Sequence, residues 1–557
     1  MHGFNILAWQ PLLRPTCSLD APPPAPPMQI PLKALSCRNQ CVSLAALVLA
    51  QEPVEGAKLV VGELVGMGGV IPHEAATVRL VNSVPTPEAG LVCDPVVRAG
   101  EFSIDGHAAL YIALEVPRET PPGIYRGKVA LKVGGEEVAK NGIELEVADV
   151  VLPDTHDWSF FLNVWMNPAP VARIRGVEMW SDEHFRQLEP YVVDLAFHGQ
   201  KTAVIPICHQ PWGAQTRDPY PNAVIWRKRG GRYEFDFSIF DRYVQLHAEH
   251  GIDRAIHCYS IVQGPGATDQ SVIAYIDADT GAEKQMVTHV GDSEYVAAWG
   301  AFFKAFAAHL EEKGWLKKTY IGFDEKPDDV MERLVAFLDE RAPDFRVSLA
   351  GNTREDLSRR LGDLSVHPAF DDRGIAESTP PERTVMGLAE LLSPYNVCAE
   401  TKRCRERTLT TFYVCCGPEH PNTFVHSPLV ESRMLPFLAL QGGYDGFLRW
   451  SYNDWPDNPY ARPEWGNWPT GDTFLVYPGA NGPVPSLRWQ QLREGICDYE
   501  LALIASANIH SSEEMVDYEQ AITLACRNPD GREKSIGDIE IARRLLIPIA
   551  EHQSGVS

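Results

Sequence analysis

The chain has 557 residues, enough for two or three domains, and 45% of them are hydrophobic, ample for large cores. Acids outnumber bases 74 to 50, a formal net charge of −24 that sets the protein against phosphate backbones and anionic lipid, and so against nucleic-acid and membrane partners. Its 12 cysteines include no CxxC pair, which removes the usual zinc-ribbon and thioredoxin signatures.

Residues 1–30 hold the run Ala21-Pro22-Pro23-Pro24-Ala25-Pro26-Pro27 and read as a Pro-rich flexible segment. The first residues show no basic stretch leading into an apolar core, so no signal peptide and a cytoplasmic location are expected. The apolar stretch 42–50 is too short to span a bilayer. From 31 to 153 the texture is all-β. Short runs at 59–61, 77–81, 109–116 and 128–133 are separated by breakers such as Pro121-Pro122-Gly123 and Gly134-Gly135. The expectation is a β-sandwich of immunoglobulin-like or fibronectin-like kind, in a supporting role.

After Pro153 apolar runs alternate with amphipathic helices. Strands are expected at 158–165, 202–208, 255–261, 319–323, 346–350, 364–366, 411–415 and 446–450, and helices at 181–197, 240–250 and 292–313. In the last helix Val296, Trp299, Phe303, Phe306 and Leu310 recur at helical spacing, and Gly314 is a natural stop. Eight strand-helix units predict a (β/α)8 TIM-type barrel over 154–500, with a long connection at 264–290 and a C-terminal helical extension over 501–557.

In such a barrel the C-terminal strand ends carry the chemistry. Tyr320-Ile321-Gly322-Phe323 leads into Asp324-Glu325-Lys326-Pro327, so two adjacent carboxylates stand at the end of strand four. The alternative is that one of them caps the helix expected at 330–342. Around the same rim fall Trp165, His209, Trp212, Tyr259, Tyr413, Trp450 and Asn453, then Asp472 and Tyr477. Aromatic faces stack on the C–H faces of sugar rings while acids and amides bind hydroxyls, so the rim suits a neutral carbohydrate; about half of these aromatics are expected to be core plugs. His209, His257 and His426 show no HxH or HxxxH spacing, and no GxSxG, P-loop or GxGxxG motif occurs, so neither metal nor cofactor is expected. The vicinal Cys415-Cys416 pair reads as buried thiols at a strand end, with a redox-active pair as the alternative.

Two carboxylates are the usual equipment of a glycosidase, but in the common retaining scheme they stand on different strands. Sequence neighbours fit the exception in which the substrate's own 2-acetamido oxygen is the nucleophile. One acid then protonates the leaving oxygen, while the other steadies the acetamide N–H and the oxazolinium ion. Neighbours on a regular strand point to opposite faces, so the backbone must leave strand geometry at Asp324 if both acids are to face one sugar.

The sequence resembles glycoside hydrolase family 123, the β-N-acetylgalactosaminidases, over most of the chain after residue 31. The resemblance is carried by Gly322-Phe323-Asp324-Glu325-Lys326-Pro327, by the stretch 412–418 with Pro421-Asn422-Thr423, and by 443–453, Gly471-Asp472, 476–479, Arg488 and 492–500. It implies a retaining, substrate-assisted enzyme that releases terminal β-linked N-acetylgalactosamine. Glu325 would be the general acid/base and Asp324 the acetamido-orienting carboxylate. Tyr413, Trp450, Asp472 and Tyr477 would be sugar contacts, with His209, Trp165 and Asn453 as further rim candidates. A hydrolase of another β-linked sugar (a β-N-acetylglucosaminide or β-galactoside) and a catalytically silent carbohydrate-binding protein are the alternatives.

Overall fold

The computed structural model describes residues 3–15, 30–213, 215–264, 268–351, 360–371, 374–375, 408–529 and 536–551. The N-terminal region consists of two sheets around one apolar core. The first, entirely antiparallel, runs Phe4–Trp9, Gln40–Ala50, His107–Val116, Ala76–Thr86, Gly90–Arg98. The second runs Leu32–Arg38, Glu136–Val151, Gly123–Val133, Val54–Val61, Phe102–Ile104, and its first pair is parallel. Leu44, Val48 and Ile112 from one sheet meet Leu59, Val129 and Leu145 from the other, all buried. Each such side chain stabilises the fold by roughly 1.5–3 kcal/mol.

The chain's first residues depart from expectation. Phe4–Trp9 is an edge strand paired with Gln40–Ala50, with Ile6 fully buried, and the Arg14 guanidinium reaches the Ser427 carbonyl at 3.2 and 3.1 Å. Residues 3–15 are thus stitched into both halves of the molecule rather than flexible. The Pro-rich run 21–27 lies outside the described residues.

The second region is built on an eight-stranded parallel sheet: Phe161–Val164, Thr202–Pro206, Ala255–Tyr259, Thr319–Asp324, Arg346–Ala350, Leu361–Val366, Leu409–Tyr413 and Gly446–Arg449, numbered here one to eight. From strand two to strand eight each pairs with the next in sequence, and strand eight pairs with strand one, but strands one and two share no ladder, only the isolated bridge Leu162–Gln200. Gln200 fills the gap between them. Its amide accepts from Val164 N (2.8 Å) and donates to Val164 O (3.0 Å) and Thr202 O (2.8 Å), while Lys201 N donates to Leu162 O (3.0 Å). The result is a nearly closed barrel.

Helices Asp182–Phe197, Ser238–Glu249, Ser293–Glu312 and Asp328–Arg341 follow strands one to four. Leu429–Gln441 follows strand seven and Leu487–Ala507 follows strand eight. The links between strands five, six and seven run largely through 352–359 and 376–407, outside the described residues, so six of the eight strand-helix units are seen. Ser181 caps its helix by accepting from His184 N. In Ser293–Glu312 the buried stripe is Tyr295, Trp299, Phe302, Phe303, Phe306 and Leu310, with Gly314 at φ 71° beyond its end. The long connection after strand three is not irregular: Gln270–Asp277 and Glu283–His289 form a hairpin that joins Ile225–Arg229 and Arg232–Asp236 in a four-stranded sheet.

The boundary expected at 500 falls inside the helix Leu487–Ala507, which is buried along most of its length. Ionic contacts tie it to the rest: Arg433 pairs with Asp498 (2.6 Å), Arg543 also pairs with Asp498, and Ser43 of the first sheet donates to Glu494. Among the described residues no helix is long and apolar enough to cross a membrane.

Candidate active site

The short buried run Thr319–Asp324 pairs with Arg346–Ala350, and the ladder stops where the chain turns. Glu325 N still donates to Ala350 O at 2.8 Å, but Glu325 itself takes a left-handed conformation, φ 45°. A glutamate holds this conformation only at a cost of about 1–3 kcal/mol. The departure from strand geometry is therefore at Glu325, one residue later than expected, and it breaks the alternation that would send the two acids to opposite faces. Gly351, at φ 141°, packs against this turn; a Cβ there would lie 3.4 Å from Glu325 Cα. Neither acid caps the next helix. Its N-cap is Pro327, and Asp328 and Asp329 occupy its first turn.

Each carboxylate has its own donor. The Trp212 indole N–H donates to Asp324 Oδ2 at 3.0 Å, and the Tyr413 hydroxyl donates to Glu325 Oε1 at 2.9 Å. Asp324 is half-buried and Glu325 exposed. Burial pushes the Asp324 carboxyl up to about 7, with the adjacent Glu325 charge adding to the rise, while the Trp212 hydrogen bond and the Lys326 charge oppose it. Burial, then the Glu325 charge, drives Tyr413 upward too, so its hydroxyl stays a donor. Lys326 turns away from the cleft and donates to the carbonyls of Gln263 (2.8 Å) and Thr268 (3.1 Å), tying strand four to the loop after strand three. Burial draws its amine down to about 8.

An aromatic wall stands beside the pair. Trp212 lies 5.0 Å from Trp165, 4.8 Å from Tyr259 and 4.5 Å from Tyr220, ring centre to ring centre. Gly322 makes room for it: a Cβ there would come within 2.7 Å of the Tyr259 ring. Trp165 and Tyr259 are each 1% exposed and Trp212 4%, so the three rings back the acid pair through the Trp212 N–H rather than offering a face to ligand. On the other side Trp450, half-buried, packs 5.4 Å from Trp468, whose N–H donates to Gln215 O (3.2 Å). His209 is half-buried, with Nε2 3.3 Å from the Gln285 amide, and burial lowers its pKa towards the neutral imidazole. The Gln263 amide donates to His209 O (2.8 Å), so Lys326, Gln263, His209 and Gln285 form a continuous chain from the acid pair to the hairpin Gln270–His289.

Like Trp165, three further expected sugar contacts are corrected by burial. Asp472 has no exposed surface: it pairs with the fully buried Arg449 at 2.6 Å and accepts the Trp450 indole N–H at 3.2 Å. Tyr477 is also enclosed, and its hydroxyl donates to Asp94 of the N-terminal region at 2.8 Å. Asn453 exchanges hydrogen bonds with the Asn167 backbone at 2.9 and 2.8 Å and is likewise sealed. A side chain without solvent-facing atoms cannot meet a ligand, so Asp472 acts through Trp450, while Tyr477 and Asn453 brace the chain at Asp94 and Asn167. Sequence reading overlooked the tie from Lys326 to Gln263, for which the sole signal is a lysine directly after the acid pair. It also passed over His367, whose Nε2 donates to Gly417 O (3.0 Å) and whose ring lies 5.4 Å from Tyr413. Among the described residues no group of three or more His, Cys, Asp or Glu side chains is placed to hold a metal ion.

Residues 165–505 match the model of the glycoside hydrolase 123 catalytic domain, more than half of the chain. The chain belongs to glycoside hydrolase family 123. It is therefore a glycosidase, and its substrate is a carbohydrate. The fold agrees: a family 123 glycoside hydrolase from Clostridium perfringens superposes with a TM-score of 0.80 at 20% identity, covering 99% of both chains. A GH5 xyloglucanase from Bacteroides ovatus (TM-score 0.30, 8% identity, 83% of this chain and 98% of that one) is a far looser match. So is a GH2 β-galacturonidase from Eisenbergiella tayi (0.30, 11%, 82% and 69%). No protein of curated function matches the sequence.

Proposed function

We propose that this family 123 member is a retaining β-N-acetylgalactosaminidase that releases terminal β-linked N-acetylgalactosamine by substrate-assisted catalysis. The observation that carries the proposal is the left-handed turn at Glu325, which breaks the strand alternation of two adjacent acids, each with its own donor. Glu325, exposed, is the general acid that protonates the leaving oxygen and later the base that activates water. Asp324, half-buried against Trp212, accepts the acetamide N–H and balances the oxazolinium charge.

Burial sets the resting state of Asp324, and the sugar must change it for these roles to operate. Two adjacent carboxylates hold one proton between them near neutral pH, because both charges together are costly. On the protein's own groups that proton rests on Asp324, raised to about 7. An acetamide N–H donated to Asp324 adds to that of Trp212 and favours the ionised form there. The proposed roles then stand with the sugar bound: Asp324 ionised against the acetamide and Glu325 facing the leaving oxygen. The Clostridium perfringens relative is described as acting in glycolipid glycan hydrolysis; a glycolipid glycan ending in this sugar is accordingly the proposed natural substrate.

A panel of 4-nitrophenyl glycosides, with a thiazoline analogue of the sugar as inhibitor, tests the reading. Turnover of the β-N-acetylgalactosaminide and inhibition by the thiazoline are expected. Preference for the β-galactoside or β-N-acetylglucosaminide would replace the proposed sugar. Turnover without thiazoline inhibition would remove the acetamido mechanism.

A further inference from the structure

Strand seven ends at Tyr413, and two residues on stand Cys415 and Cys416, their sulfurs 3.9 Å apart. They are not the buried pair expected from an apolar strand end: Cys415 is half-buried, and Cys416 is the only exposed thiol among the described residues. Cys415, like Trp450, packs against the cluster that holds Trp212 and Tyr413. The backbone around the pair is pinned. Arg449 holds Val414 O (3.1 Å), Asn422 holds Cys415 O (2.9 Å) and Pro418 O (2.7 Å), and His367 holds Gly417 O.

We propose that Cys415 and Cys416 are a redox-active dithiol that a small-molecule disulfide oxidises to a vicinal disulfide, lowering sugar turnover at the adjacent Tyr413–Glu325 contact. The second half of this statement rests on the roles assigned to those residues above. Burial pushes the Cys415 thiol up to about 12, so the exposed Cys416 attacks first. Its thiolate displaces one thiolate from the small disulfide and forms a mixed disulfide. Cys415 then loses its proton and attacks the Cys416 sulfur, releasing the second thiolate. The two cysteines give up two electrons and two protons, and one external disulfide becomes two thiols. A disulfide needs its sulfurs about 2.05 Å apart, so they must close by nearly half their separation. With Val414, Cys415 and Gly417 all held, slack backbone cannot absorb that movement. It reaches Tyr413, two residues back, and the buried aromatic cluster against which Cys415 packs.

Incubation of the reduced full-length enzyme with oxidised glutathione, then alkylation and peptide mass spectrometry, tests the dithiol. The expected product joins Cys415 to Cys416, two hydrogens lighter than the reduced peptide and restored by dithiothreitol. Over the same course turnover of an aryl glycoside falls about tenfold, the scale of one lost hydrogen bond to a charged group. Cys416→Ser and Cys416→Ala keep their reduced-state turnover throughout. No bond between the pair, a bond from Cys416 to another cysteine, unchanged turnover after oxidation, or equal inhibition of the Cys416 variants would each overturn the proposal. A reduced wild-type enzyme that cleaves no glycoside would count against the proposed function; the mass of the oxidised peptide would still decide the dithiol.

Discussion

At the ends of strands four and eight an acid accepts an indole N–H, and the two acids have opposite fates. Strand four ends in Asp324 and Glu325, each with one aromatic donor and a path to solvent. Strand eight ends in Arg449 and Trp450, and the acid that answers them, Asp472, is enclosed with its guanidinium partner. Behind it Arg488 reaches Thr423 O (2.7 Å), Gly471 O (3.1 Å) and Asp94 of the N-terminal sheets (3.1 Å), while Glu88 accepts from Thr470 N (3.0 Å). The sandwich thus braces the loop on which Trp450 leans. An acid with a single neutral donor and access to solvent can meet a substrate. An acid locked to a buried guanidinium cannot, and it holds shape instead.

Glu325→Gln is the largest expected break in this comparison. On a glycoside with a poor leaving group kcat should fall by about 10²–10⁴-fold, the range for loss of a general acid, with a much smaller fall on an activated aryl glycoside and an unchanged melting curve. Asp472→Ala should do the reverse. It leaves Arg449 buried and unpaired, a destabilisation of about 3–5 kcal/mol, visible as earlier thermal unfolding; the folded fraction should lose far less activity than Glu325→Gln does. Tyr413→Phe should cost about tenfold in kcat/KM through the lost bond to Glu325, with little change in stability.

The subtlest effect concerns pH. The acid pair must keep one proton, and it loses that proton as pH rises through the Asp324 value of about 7, so kcat/KM should fall on the alkaline side of that point. Trp212 N–H stabilises the ionised form of Asp324. Trp212→Phe should therefore raise the pKa and move the alkaline limb to higher pH. A limb that stays in place or moves down would show that Asp324 does not set it.

The eight barrel strands were legible because a parallel strand buried on both faces reads as a short continuous apolar run. The helices were legible because their stripes recur at 3.6 residues, as in Ser293–Glu312. Phe4–Trp9 was not, since a six-residue edge strand ahead of a proline-rich run has no local signal; it needs Gln40–Ala50 to pair with. Nor was the sheet that incorporates 270–289, because its strand at 225–229 lies two connections away.

At the site, the adjacent acids, their place at the end of strand four and the aromatic character of the rim followed from residue order alone. Which aromatics and acids face a ligand did not. Asp472, Tyr477 and Asn453 look as suitable on paper as Trp450, but exposure is a property of what packs on a residue. Here the covering groups, Arg449, Asp94 and Asn167, come from 23, 383 and 286 positions away. Sequence order sets which chemistry is available at the strand ends; long-range packing decides which of those groups keep a route to water.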